Sequence, residues 1–172
     1  MFVSNQLKSK KLLSALTSYL VLTHQAIGLS YVKHLSQVKN RVALDQARDI
    51  LCSCLKKQPL MVEDLLLDFI KSNNEGLIRL TLHCLPFISV WAKSKKNPNK
   101  LMSSKLMQYL VKNLAQAQFS RDIFKQEFKC WFNSGDYKIT QDIIAVLSFY
   151  SNNQACRQLL LFCCKIVNTL HV

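Results

Sequence analysis

Apolar residues return along this chain every three or four positions, in runs of about fifteen residues parted by short polar gaps. That spacing follows the helical period and predicts about nine amphipathic helices. The first is expected over Leu7–Leu22, with Leu12, Leu13, Leu16 and Leu20 on its core face. The second, Thr23–Val38, would bury Ala26, Ile27, Tyr31 and Leu35, and the third, Val42–Lys57, would bury Leu44, Ala47, Leu51 and Leu55. Pro59 suits the first turn of the fourth, where its fixed φ and missing N–H cost nothing. Val62, Leu65, Leu66, Phe69 and Ile70 then make a core-facing stripe. Asn73 or Asn74 is placed to cap the fifth helix, with Glu75 favourable in its first turn. It would bury Leu77, Leu80, Thr81, Cys84, Leu85 and Ile88, and Pro86 inside it should kink or break it by removing one ladder bond.

The stretch "KSKKNPN" reads as the clearest loop, and Asn97-Pro98 as the start of a sixth helix that buries Leu106, Leu110, Val111 and Leu114. Ser120 opens a seventh, with Phe124, Phe128, Trp131 and Phe132 inward, and Gly135 is the natural left-handed stop. The eighth, Tyr137–Tyr150, carries Ile139, Ile143, Val146, Leu147 and Tyr150. The ninth, from about Asn153, carries Cys156, Leu159, Leu160, Cys163, Ile166, Val167 and Leu170. Links this short make consecutive helices antiparallel neighbours.

One segment has an echo. "SNNEGLIRLTLHC" (Ser72–Cys84) is answered seventy-nine residues later by "SNNQACRQLLLFC" (Ser151–Cys163). With 63–85 set against 142–164, identities fall at Ser72/Ser151, Asn73/Asn152, Asn74/Asn153, Leu80/Leu159, Leu82/Leu161 and Cys84/Cys163. In both copies an amphipathic helix, a turn and a second amphipathic helix follow in order, and half the offset is a unit of about forty residues. In these residues the chain resembles HEAT and armadillo helical repeats, over most of Leu44–Leu170. The resemblance implies an all-α chain built as a short α-solenoid, a right-handed stack of antiparallel helix pairs, in preference to a compact bundle. It also implies a scaffold or adaptor surface within a large intracellular assembly, and it carries over no catalytic residue.

Composition fits helices. The 172 residues are the length of one ordinary domain, so residues 1–172 are expected to fold as a single unit. Glycine and proline occur three times each, too seldom to serve the turns of a sheet protein. Charge adds a second pattern. The net charge is +13, and all ten acids lie in Asp45–Glu75 and Asp122–Asp142. Met1–Leu44 and Gly76–Arg121 therefore hold basic residues alone. Such acid-free stretches suit an anionic partner: an acidic protein surface, nucleic acid or anionic lipid. The candidate contacts are Arg79, Trp91, Lys93, Lys95, Lys96, Lys100, Lys105 and Lys112. Lysines would meet phosphates without sequence preference, and Trp91 beside them could stack on an unpaired base.

Chemistry narrows the picture mainly by what is missing. No P-loop, GxGxxG, HExxH or GxSxG motif occurs, and Glu63-Asp64 and His83-Cys84 are helix neighbours whose side chains diverge. No enzyme activity, cofactor or metal is expected. The seven cysteines lack both disulfide-framework and zinc-site spacing, which points to a reducing intracellular compartment, nucleus or cytoplasm. Leu12–Val32 carries no formal charge, but serine, threonine, histidine and glutamine interrupt it, so it reads as two amphipathic helices before a membrane span. The reading is a non-catalytic scaffold that binds protein partners. Direct DNA or RNA binding through phosphates comes second, and membrane association through Leu12–Val32 third.

Overall fold

The computed structural model describes residues 2–38, 40–94, 105–135 and 137–169. Among them lie nine α-helices and no strand: α1 (Phe2–Thr23), α2 (Gln25–Gln37), α3 (Arg41–Lys57), α4 (Pro59–Lys71), α5 (Glu75–Ser94), α6 (Lys105–Gln116), α7 (Gln118–Asn133), α8 (Tyr137–Phe149) and α9 (Gln154–Asn168).

Local chemistry sets most of the boundaries. The Asn40 side chain accepts from the Val42 N–H at the start of α3, and Asn74 accepts from the Leu77 N–H at the start of α5. Pro59 occupies the first turn of α4. Asn73 takes φ of 54°, a left-handed value that asparagine tolerates better than most side chains, and so turns the chain between α4 and α5. Gly135, at φ of 77°, does the same after α7. Pro86 does not break its helix: α5 continues through it to Ser94. A proline forfeits one ladder bond, and the remaining bonds of a long packed helix outweigh it. The Asn97-Pro98 start proposed for α6 lies outside the described residues.

The echo shares its turn chemistry. Asn153 caps α9 by accepting from the Ala155 and Cys156 N–H groups, as Asn74 caps α5. Leu80, Cys84, Leu159 and Cys163 are all buried. The copies part at Leu82, which is fully covered, and Leu161, which is 65% exposed.

The odd-numbered helices pack in succession, α1 on α3, α3 on α5, α5 on α7 and α7 on α9. The even-numbered ones divide. α4 packs on α6, whereas α2 and α8 both pack on α5, so α5 is enclosed by α2, α3, α4, α7 and α8. One buried cluster draws side chains from all nine helices, from Val21 through Leu80 and Phe124 to Cys163. Phe124 stacks with Phe128 and meets Trp131 edge-on, with ring centres 6.4 and 6.3 Å apart.

The two N-terminal helices depart from their hydrophobic pattern. Leu12, Leu13 and Leu16 face outward, and Thr17, Ser18 and Val21 are buried instead. In α2, Ala26 and Ile27 are exposed, while Gly28, Val32, Leu35 and Ser36 turn inward. Close approach explains the inversion. A Cβ added at Gly28 would fall 2.4 Å from the Val21 backbone nitrogen, so α1 and α2 meet where one of them has no side chain. The Ser18 hydroxyl bonds the Ser14 carbonyl of its own helix, at 2.7 Å, and lies 3.4 Å from the Ile50 carbonyl of α3, so the buried polar group is satisfied.

Candidate functional site

The expected basic contacts do not converge on one described surface. Arg79 lies on α5, where it bonds Glu75 at 3.0 Å and is half-buried. Trp91 and Lys93 belong to the last turns of α5, with side chains outside the description, and Lys95, Lys96 and Lys100 lie outside the described residues. Lys105 and Lys112 are exposed on α6. They sit seven positions apart with exposed Tyr109 between them, so the three share one helical face. Lys71 of α4 reaches over the Tyr109 ring at 5.2 Å, which adds a third ammonium. Arg79 belongs elsewhere, at a cavity that no residue of α6 lines.

That cavity, of about 480 Å³, lies where the end of α2 and the starts of α3 and α5 meet the middle of α7. Its walls include Ser36, Asn40, Arg41, Glu75, Arg79 and Glu127. The two guanidiniums are each held by a carboxylate of the same wall, Arg41 by Glu127 and Arg79 by Glu75. Among the described lining residues the two cations are thus paired with the two carboxylates.

Behind the cavity stands an ionic network, centred on two buried side chains, that sequence reasoning missed. Arg41, Asp45 and Arg48 share one face of α3 at i, i+4 and i+7. His83 projects from α5 and Glu127 from α7, and both are almost completely buried. The His83 Nδ1 lies 3.1 Å from Glu127 Oε2, and its Nε2 lies 2.7 Å from Asp45 Oδ1. Arg41 Nη1 donates to both Glu127 oxygens, at 3.2 and 3.1 Å. Arg48 donates to Asp45 at 2.8 Å and to Asp49 at 2.8 Å, and covers the Phe87 ring at 4.8 Å. A carboxylate as deep as Glu127 is tolerable only with such partners, because an unpaired buried charge is strongly unfavourable. The two carboxylates approach opposite nitrogens of one ring and so share no common point. Among the described residues no group of three or more His, Cys, Asp or Glu is arranged to hold a metal ion.

One signal of the network was present in the sequence. Glu127 falls at i+3 from Phe124 and i+4 before Trp131, on the inward face of an aromatic helix. An acid in that register requires a buried partner, although its register does not say which helix supplies one.

The third feature is the outward face of α1. Leu12, Leu16 and Tyr19 are 72%, 54% and 58% exposed and follow one another at i, i+4 and i+7. Leu13 flanks them, and Ile27 of α2 is 63% exposed. No helix among the described residues is long and apolar enough to cross a membrane. Comparison with protein-family models, curated proteins and solved structures returned no match to this chain.

Proposed function

We propose that this chain is a non-catalytic helical scaffold, of the HEAT-like stacked kind, that docks a protein partner in an intracellular assembly. The observation that carries the reading is the outward leucine face of α1. An apolar stripe that the other described residues leave uncovered supports an interaction surface. The succession of odd helices supports it further, because a helix laid on α1 would extend the row α1–α3–α5–α7–α9. Charge complementarity defines that helix. Met1–Leu44 contains no acid, and Lys11 on α1 and Lys33 on α2 are exposed. The fitting partner element is an amphipathic helix with apolar residues at three- and four-residue spacing and acidic flanks.

A photo-crosslinking residue at position 16, introduced into the full chain in native cells, tests this against the same residue at exposed Lys129 of α7. Nuclease-resistant protein adducts from position 16 alone, lost on Leu12→Asp, are the expected result. Equal adducts from both positions, or lipid adducts only, would overturn it.

A second reading rests on the α6 face. Lys71, Lys105 and Lys112 around Tyr109 suit the phosphates and a stacked base of a single strand. Its mark is oligonucleotide affinity that falls steeply with salt, with a slope made shallower by Lys105→Glu/Lys112→Glu. Charge reversal at Lys93, Lys95, Lys96 and Lys100 tests the adjoining stretch in the same assay. An affinity that neither salt nor charge reversal changes excludes this reading.

A further inference from the structure

Of the described histidines, His24 and His34 are exposed and His83 is buried. A neutral imidazole has one N–H and one lone pair, whereas an imidazolium has two N–H groups. Each ring nitrogen of His83 faces a carboxylate oxygen, Nε2 with Asp45 at 2.7 Å and Nδ1 with Glu127 at 3.1 Å. Only the imidazolium can donate to both, because a lone pair set against a carboxylate oxygen is repulsive. Arg48 fits the same state: its Nη1 and the His83 Nε2, 3.1 Å apart, converge on one Asp45 oxygen at 2.8 and 2.7 Å. With the ring charged, Arg41, Arg48 and His83 are matched by Asp45, Asp49 and Glu127. The facing charges thus come from α3 and α7. On α5 itself, Arg79 stands one turn before His83 and is paired with Glu75. Among the described residues, no titratable side chain of α2, α4 or α8 bonds to the ring.

We infer that His83 is a proton-operated switch: charged, it bonds Asp45 and Glu127 together, and neutral, it keeps Glu127 and exchanges Asp45 for Arg48. Loss of a proton leaves one N–H for two carboxylates, and their surroundings decide which keeps it. The Glu127 side chain is 4% exposed and that of Asp45 is 39% exposed. A buried carboxylate that loses a bond is left without solvent, whereas an exposed one regains water. The proton at Nδ1 therefore stays on the Glu127 side, and the proton at Nε2 passes to water. The lone pair uncovered at Nε2 then accepts from Arg48 Nη1, which already stands 3.1 Å away. Asp45 is freed toward the groove between α1 and α3 that it lines with Lys11. Asp45 and Arg48 are three residues apart on α3, so the exchange moves the bond from α5 by nearly one turn along α3 and leaves the hold on α7 in place. The switch uses neither the outward face of α1 nor α6, so it is independent of the docking proposal.

Nitrogen-15 and carbon-13 NMR of the full chain is the test. The chain carries His24→Gln, His34→Gln and His171→Gln, which leaves His83 as its one imidazole. No core residue is altered, so the measurement does not depend on a core variant that fails to fold. The titration runs from about pH 5 to about pH 9, on either side of the ordinary histidine value of about 6.5. The expected result is loss of the Nε2 proton alone, which gives the Nδ1–H tautomer at the upper end. The Asp45 carboxyl carbon, assigned through its bonded carbons, should shift with the same midpoint as the ring nitrogens and by more than that of Glu127. A neutral ring with its proton on Nε2 overturns the inference, as does a ring that keeps one protonation state across the whole range. An Asp45 carbon that moves no further than that of Glu127 overturns it as well.

Discussion

Helices α1 and α5 are both long and rich in leucine, yet they occupy opposite situations. α5 is enclosed by five helices, and its described core includes Ile78, Leu80, Leu82 and the polar Thr81 and His83. α1 rests on α2 and α3, sets Thr17 and Ser18 against them, and turns Leu12 and Leu16 outward. Hydrophobic spacing identifies the face that gains most from cover, and the covering surface can come from outside the described fold. In α5 the gain is made within the chain. In α1 small and polar residues allow a close seat, and the apolar face is turned outward from the described helices.

Substitutions can break this contrast. The largest effects are expected where α5 is clasped: Glu127→Ala takes a buried hydrogen-bond partner from His83, which keeps Asp45, and from half-exposed Arg41, and should cost about 2–4 kcal/mol in urea unfolding. Leu80→Ala, at a fully buried position of α5, should cost about 2–5 kcal/mol in the same assay. Gly28→Val tests the seat of α1 by forcing a side chain into the Val21 backbone, with an expected loss of about 1–3 kcal/mol.

A smaller effect should appear with pH. Cys54, at the α1–α3 contact, donates to the Ser18 carbonyl, and burial holds its thiol up to about 11. A folded value above the unfolded one, about 8.5, means that stability is complete below that pH and is lost as pH rises through the folded value. Melting temperature should therefore fall between roughly pH 9 and 11, and Cys54→Ala should flatten that decline. The smallest effect belongs to Leu16→Ala on the outward face, within about 0.5 kcal/mol. A loss at Leu16 as large as that at Leu80 would mean that α1 is covered within the chain after all.

The same contrast explains what could be read from the sequence. Helices with neighbours on their apolar side, such as α4 with Val62, Leu66 and Phe69, show their core stripe directly. The asparagine caps and Gly135 were legible because their chemistry is local. The seat of α1 was not, because Gly28 and Ser18 act through close approach, which no periodicity records. The ionic network was hidden for a related reason. His83 and Glu127 are each ordinary in their own helix, and only the packing of α5 on α7 makes them partners. Lys105 and Lys112 were singled out as contacts, but Lys71 joins them only through the packing of α4 on α6.

Glu127 carries a consequence for the timing of folding. It is bonded to Arg41 across 86 positions of chain and to His83 across 44, whereas contacts between consecutive helices close short loops. Long closures are entropically harder and are made once the shorter ones have gathered the chain. Interactions absent from the transition state act on the rate of leaving the native state. Replacing Glu127 should thus raise the unfolding limb of a chevron while leaving the refolding limb nearly unchanged. The network would govern the lifetime of the folded chain far more than the speed of its formation.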